Sequence, residues 1–509
     1  MRTIVLDGES LGWSELRALA RDDGACRIRV APAALRQVAR SRGTVERAVA
    51  EGRTIYGINT GFGKLSDTRI DSAQLDALQR NLLLSHAAGM GPGFLREVGL
   101  LIALRTNSLL LGYSGVTPGL VGYLAKLHNR GVRPLIYEQG SVGASGDLAP
   151  LAQLGCAMLG EGQAWIGSKL HTARAALAKA RLAPYRFRFK EALSLINGTQ
   201  FTMALLARVL ADAEDLLKLA DVAAAMSLEA LKGSARPYDA RFHRHRPHPG
   251  QLATAANVRR LLASSGILHS HRDCRKVQDA YSLRCVPQVH GAARDAWTFA
   301  RDVLVREANS VTDNPLVFEN GDILSGGNFH GQALAQAADF LTASLVSLAN
   351  ISERRIDRMT NPDMSELPAF LVAESGLNSG YMMVQVAAAA VAAECRADAG
   401  PASVHSIPTG ASKEDHVPMA PIAARKCRRV LDNVGKVVGL ELLCAAQGLD
   451  FLKPLRPGRG VAAAHARLRR DIPHLDADRF LRPDLEKLTS GALPEAVLAA
   501  AEKAVGPLA

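Results

Sequence analysis

Between positions 201 and 232 the chain runs without a glycine or a proline, and its apolar residues keep three- and four-residue spacing throughout. That is the period of a helix, and few globular helices run so long. Comparable segments occupy 288–310, 332–360, 377–399 and 422–447. Helices of this length cannot bury their apolar stripes alone, so they require a bundle in which each is covered by its neighbours. Composition agrees: apolar residues make up 48% of the chain but aromatics only 5%, and the Ala- and Leu-rich remainder favours helix over sheet. The predicted fold is mainly α, a long-helix bundle with a mixed N-terminal region.

At 509 residues the chain exceeds the size at which one core stops growing. A boundary is drawn near Gly198, giving a mixed region over 1–198 and the helical region over 199–509. The stretch 454–509 is punctuated by Pro454, Pro457, Pro473, Pro483 and Pro494 and reads as short helices and turns. Seven scattered cysteines show no Cys-x-x-Cys pair, which suits a reducing compartment. The first ten residues lack the apolar run of a secretory signal, and the most apolar stretch, 375–393, contains Ser, Asn and Gln. A cytoplasmic protein with no membrane partner is expected. The net charge of +12 is spread from end to end without a nucleic-acid-binding motif, so no nucleic-acid partner is expected. His243, His245 and His248 stand close, but arginines lie between them and no acidic or cysteine partner is near, so no metal is expected either.

The chemistry is sought in residues 138–150, Glu-Gln-Gly-Ser-Val-Gly-Ala-Ser-Gly-Asp-Leu-Ala-Pro. Glycines at 140, 143 and 146 allow a tight, left-handed backbone. No Lys-Ser/Thr follows, as a phosphate loop requires, and Asp147 stands where a nucleophile elbow needs its last glycine. Two readings remain. One is a plain turn before a helix starting at Leu148. The other is a loop so compressed that the Gly146 nitrogen closes on the Ala144 carbonyl carbon, loss of water then leaving an exocyclic methylene where Ser145 had its hydroxyl.

Residues 140–152, Gly-Ser-Val-Gly-Ala-Ser-Gly-Asp-Leu-Ala-Pro-Leu-Ala, resemble the signature of the histidine and aromatic amino acid ammonia-lyases. The resemblance implies that Ala144, Ser145 and Gly146 form 4-methylidene-imidazol-5-one, with no external cofactor. Further motifs carry it along most of the chain. Tyr-Gly-Ile-Asn-Thr-Gly-Phe-Gly at 56–63 resembles the family's mobile loop and makes Tyr56 the implied base. Tyr-Ser-Leu-Arg at 281–284 implies that Arg284 holds the substrate carboxylate and Tyr281 supports the electrophile; only arginine offers a carboxylate a planar fork. Asn197, locally an N-cap ahead of the long helix, is implied to contact the electrophile's ring oxygen, and Phe329 to pack beside the methylidene. His86, after Ser85, and Glu414 match the histidine-selective members. A pocket built to hydrogen-bond an imidazole rejects a hydrocarbon ring that leaves that bond unmade.

Membership thus implies an aspartase/fumarase-like bundle, a homotetramer whose sites draw on more than one subunit, and a carbon–nitrogen lyase converting L-histidine to ammonia and trans-urocanate. The alternatives are a lyase or aminomutase for tyrosine or phenylalanine, or a non-catalytic helical assembly protein. Departures from the family pattern are Lys413 for a usual glutamine, unusual residues at Gly410 and Ser412, Ala280 for a proline, His405 for an aspartate and His290 for a methionine. None removes a catalytic group; Lys413 bears on substrate preference and pH optimum.

Overall fold

The structure is a computed structural model that describes residues 2–21, 26–61, 63, 69–71, 74–274, 276–489 and 491–509. The long periodic segments are helices: Gln200–Ala230, Val286–Ala308, Gln332–Thr360, Met382–Ala397 and Ala420–Asp450. Each lies within a few residues of its predicted span except Met382–Ala397, which starts five residues late. There Gly380 takes a left-handed φ of +56°, and a Cβ on it would lie 2.5 Å from the Phe370 carbonyl oxygen, so the backbone at 380 is committed to a close approach instead of a helical turn. A further helix is Leu75–His86, positions 72 and 73 lying outside the described residues. The helix opened by Pro32 runs to Ala50. Gly43 does not end it, because Val38, Val45 and Ala48 bury one face on both sides of the glycine.

The chain divides into two compact units, one of residues 1–211, 300–339 and 401–425, the other of 212–299, 340–400 and 426–509. In the first unit, Val98–Leu110 is buried on every side, and Leu148–Leu159 nearly so. Helices apolar all round belong at the centre of a core. Leu148–Leu159 packs against Leu75–His86 and Glu191–Ile196. Around them lie small sheets of two or three strands. Thr3–Leu6 pairs in parallel with Arg27–Val30, Met90–Phe94 antiparallel with Ile136–Gln139, and Val132–Pro134, Gln163–Ile166 and Lys169–Thr172 form an antiparallel trio. The strand Ile136–Gln139 delivers the chain directly into the glycine run at 140–146.

The second unit buries charge as well as apolar surface, and two of its buried clusters are built on ion pairs, since an unpaired buried ion is costly. Arg355 binds both carboxylate oxygens of Glu441, at 2.5 and 2.8 Å, which also accepts the hydroxyls of Ser227 and Ser352. Asp221 accepts from His290 at 2.8 Å and from Arg294 at 2.6 Å, so the buried imidazole has an acceptor and the carboxylate a cation. The proline-punctuated stretch forms the short helices Arg459–Asp471, Arg482–Thr489 and Ala492–Val505. Among the described residues one helix, Gln332–Thr360, is long and apolar enough to cross a membrane, and 67% of its most apolar window is buried inside the protein, as in a core helix.

Candidate active site

Gly143 and Gly146 pair across a two-residue turn made by Ala144 and Ser145. Both glycines are left-handed, at φ +76° and +73°. The reason at 146 is contact as well as conformation: a Cβ there would lie 2.4 Å from the Gly198 oxygen and 2.6 Å from its carbonyl carbon and nitrogen. The Asp147 amide closes the approach by donating to the Gly198 oxygen at 2.7 Å. Ala144 and Gly146 are buried, and Ser145 is half-buried.

Among the described residues, two side chains hydrogen-bond Ser145. The Asn197 amide donates to the Ser145 carbonyl oxygen at 2.7 Å, and the Ser145 hydroxyl donates to Glu414 Oε1 at 2.6 Å. Asn197 is not the N-cap of the long helix, as its local sequence predicts; it ends Glu191–Ile196, with φ −88° and ψ 91°. Leaving the helix there is what turns its side chain towards the 143–146 turn. Glu414 is fixed from the other side: Oε2 accepts the Thr409 hydroxyl at 2.6 Å, and the backbones of Thr409 and Glu414 exchange two hydrogen bonds. Between them Gly410, Ala411 and Ser412 are all left-handed, a strain of about 1–2 kcal/mol at each of the two non-glycine positions. Lys413, next in line, is exposed.

Helix N-termini gather on the same turn. Leu148–Leu159 begins just after it. Asp147 Oδ2 accepts the Thr202 amide at 2.8 Å, placing that carboxylate at the start of Gln200–Ala230. Gly331, which opens Gln332–Thr360, donates its amide to the Gly143 oxygen at 3.1 Å. Ala420, which opens Ala420–Asp450, sits where a Cβ on Gly143 would meet it at 3.1 Å. The positive ends of four helices therefore face the turn, where negative charge is favoured. Burial pushes the Asp147 carboxyl up to about 6 in spite of bonds from Thr202 and Ser141, within reach of a proton at neutral pH.

The remaining predicted residues lie at different removes. Phe329, half-buried, is on the loop that Gly331 ties to Gly143, and the neighbouring His330 stacks on His416 with ring centroids 5.8 Å apart. His86 ends Leu75–His86 and contacts the Ser85 hydroxyl at 3.0 Å. Burial lowers its pKa, against the opposing pull of the Leu82 carbonyl and the Glu414 charge. The Tyr56 hydroxyl accepts the Gly63 amide at 3.4 Å within its own loop, Phe62 lying outside the described residues. That loop is seated on the helix leading to Asn197, for a Cβ on Gly57 would lie 2.4 Å from Leu193. Tyr281 and Arg284 belong to the second unit, where the guanidinium lies 4.8 Å from the Tyr281 ring centroid and Tyr281 is 71% exposed.

Sequence reasoning missed the support behind Asn197. Arg105, fully buried, donates to the carbonyl oxygens of Asn197, at 3.1 Å, and Ser194, and to Gln200 at 2.9 Å. Burial brings its pKa down to about 10. The signal was present: one arginine in the otherwise apolar run 98–104 and 109–111 has to find acceptors inside the fold. Of the three histidines near 245, His243 is buried with its ring nitrogens on the Pro237 oxygen and the Gln251 amide. Among the described residues there is no group of three metal-binding side chains.

A sequence profile of the family described as aromatic amino acid lyase matches residues 11–470, and the chain belongs to that family. Among its relatives, the histidine ammonia-lyase of Sorangium cellulosum (strain So ce56) is 50% identical over 99% of this chain and 100% of its own. A crystal structure of histidine ammonia-lyase from Trypanosoma cruzi is similar with TM-score 0.91 at 40% identity, over 99% of this chain and 96% of that one. Tyrosine aminomutase from Streptomyces globisporus is similar with TM-score 0.94 at 36% identity, over 100% of both. The architecture is that of the aromatic amino acid lyases and aminomutases, related to the aspartase/fumarase-type helical fold. Since lyases and a mutase share it, the substrate has to be argued from side chains.

Proposed function

We propose that this chain eliminates ammonia from L-histidine to give trans-urocanate, using a 4-methylidene-imidazol-5-one group formed from its own Ala144, Ser145 and Gly146. The chain is a carbon–nitrogen lyase by family and by relatives that cover its whole length. The observation that carries the reading is the pair of contacts on Ser145. In the cyclised tripeptide the Ser145 carbonyl becomes the ring carbonyl, and Asn197 already donates to that oxygen. The Gly146 nitrogen belongs to the one residue that tolerates the approach of Gly198. The tripeptide therefore fits the group in its hydrogen bonding and its space.

The group would supply an electrophilic carbon for the substrate amine, the chemistry that turns an amine into a better leaving group. The chain's own side chains do the rest. Arg284 holds the carboxylate, and Tyr281 supports the electrophile. Tyr56 removes the β-proton, carried on a loop anchored at Gly57. Phe329 closes the apolar side. His86 and Glu414 orient the imidazole; a histidine held neutral by burial accepts or donates one hydrogen bond without adding charge. Asn197, which donates to the Ser145 carbonyl oxygen, and the nearby helix N-termini would favour negative charge at that oxygen.

The reading includes a cytoplasmic homotetramer in which each site draws on more than one subunit. It is supported by apolar side chains that the second unit leaves exposed, among them Leu377 at 81%, Met383 at 63%, and the T-stacked pair Phe299 and Phe340. The test is a substrate panel of L-histidine, L-tyrosine and L-phenylalanine followed by near-ultraviolet absorbance. Product from histidine alone is expected; product from tyrosine or phenylalanine would overturn the roles given to His86 and Glu414.

A further inference from the structure

We infer that Arg105 is a positioning residue for the elimination, acting through Asn197, whose amide it keeps aimed at the Ser145 carbonyl oxygen. The inference rests on the function proposed above and names what holds its ring-oxygen donor in place. Glu191–Ile196 ends at Asn197, and the last carbonyls of a helix have no partner within it. Arg105 supplies those partners. Its Nη2 donates to the carbonyl oxygens of Ser194 and, at 3.1 Å, of Asn197. Its Nη1 donates to Gln200 Oε1 at 2.9 Å and to the Thr312 hydroxyl at 3.4 Å, so it also reaches the first residue of Gln200–Ala230. The planar fork thus bridges the end of one helix and the start of the next, and Asn197 lies in the gap.

That placement fixes the backbone from which the Asn197 side chain projects. Its carbonyl is held by Nη2, its φ and ψ of −88° and 91° have left the helix, and its amide meets the Ser145 oxygen at 2.7 Å. The same guanidinium lies against Gly198, where a Cβ would come within 2.4 Å of Nη1. The Gly198 oxygen is in turn the atom that a Cβ on Gly146 would meet. One buried side chain therefore stands behind both the donor to the turn and the backbone packed on it. A merely structural arginine would stabilise the fold and leave turnover of the folded chain alone. A positioning one lowers kcat and spares KM, because Asn197 meets negative charge only as it develops in the transition state.

Arg105→Lys keeps a buried cation but loses the fork, since an ammonium presents its donors from a single point. Turnover of L-histidine is measured for the parent, Arg105→Lys, Asn197→Ala and the double variant, counted per chain whose intact mass shows both waters lost, with far-ultraviolet circular dichroism as the check on folding. Arg105→Lys is expected to lower kcat by about 10- to 100-fold, short of the loss on removing the Asn197 donor outright, with KM within about threefold of the parent. In the Asn197→Ala background the same change is expected to cost less than about twofold, because the two side chains serve one contact. A kcat for Arg105→Lys within about threefold of the parent, or losses that multiply in the double variant, overturns the proposal and leaves the lyase reading intact. A parent that releases no ammonia from L-histidine overturns that reading and the proposal with it. If Arg105→Lys does not fold or does not lose its waters, Thr312→Val goes through the same cycle, for it removes the hydroxyl shared by Arg105 and Gln200. A loss of kcat that disappears beside Asn197→Ala supports the proposal; an unchanged kcat, or a loss that multiplies, contradicts it.

Discussion

Asn197 is the residue on which geometry and chemistry agree most closely. Its amide points at the one carbonyl that would carry negative charge, from a backbone that has just left a helix. Removing such a donor slows catalysis by about 10²–10³. Asn197→Ala is therefore expected to lower kcat by that factor and leave the circular dichroism spectrum unchanged; a kcat within about threefold of the parent would contradict the role. Gly146→Ala makes the opposite kind of prediction, about space. The methyl would enter the Gly198 backbone at a φ that disfavours it, so the chain is expected to keep both waters in its intact mass. The tight turn was legible from its glycines, whereas Ser145 and Glu414 were singled out only through the family resemblance. The contact between Ser145 and Glu414 was not legible, since it joins positions 269 residues apart and depends on three left-handed residues that no local pattern announces.

At the scale of elements, the site depends on helix ends held by buried charge. Lys190, which precedes Glu191–Ile196 with a left-handed φ of +71°, pairs with Asp313 at 3.0 Å, both side chains fully buried. Lys190→Met leaves Asp313 without its partner and is expected to cost about 3–5 kcal/mol in denaturant unfolding, while the double change Lys190→Met, Asp313→Leu is expected to recover much of it. Equal stability of the single variant and the parent would show that the pair contributes nothing.

In the second unit, Glu229 accepts the Gly458 amide at 2.9 and 3.1 Å at the start of Arg459–Asp471, and burial pushes its carboxyl up to about 7. A folded pKa above the unfolded value means the native state holds the proton more tightly. The stability this contributes is complete below about pH 4.5 and is lost as pH rises through about 7. Glu229→Gln does not titrate, so its melting temperature relative to the parent is expected to rise between pH 5 and pH 8, by the equivalent of about 1–3 kcal/mol. A constant difference across that window would show that Glu229 does not titrate there. The helices themselves were readable from periodicity over 201–232, 332–360 and 422–447. The late start at Met382 was not, because it follows from the approach of Gly380 to Phe370, a tertiary contact.

For the whole molecule, the mainly α fold followed from long uninterrupted segments, and family from motifs spread over most of the chain. Small sheets such as Met90–Phe94 with Ile136–Gln139 escaped notice because strands of four or five residues, the first of them broken by Gly and Pro, are too short to show an alternating pattern. Architecture does not choose the reaction, since a tyrosine aminomutase shares it. The choice of L-histidine rests on full-length relatives that are histidine ammonia-lyases, with His86 and Glu414 proposed to read the imidazole, and it has a direct chemical signature. The decisive measurement is ammonia released from L-histidine, quantified alongside the near-ultraviolet absorbance of the product, for the parent and for Ser145→Ala. Equimolar ammonia and absorbing product from the parent, with neither from Ser145→Ala, is the predicted result. A rearranged amino acid without ammonia, or unchanged turnover by Ser145→Ala, would contradict the account.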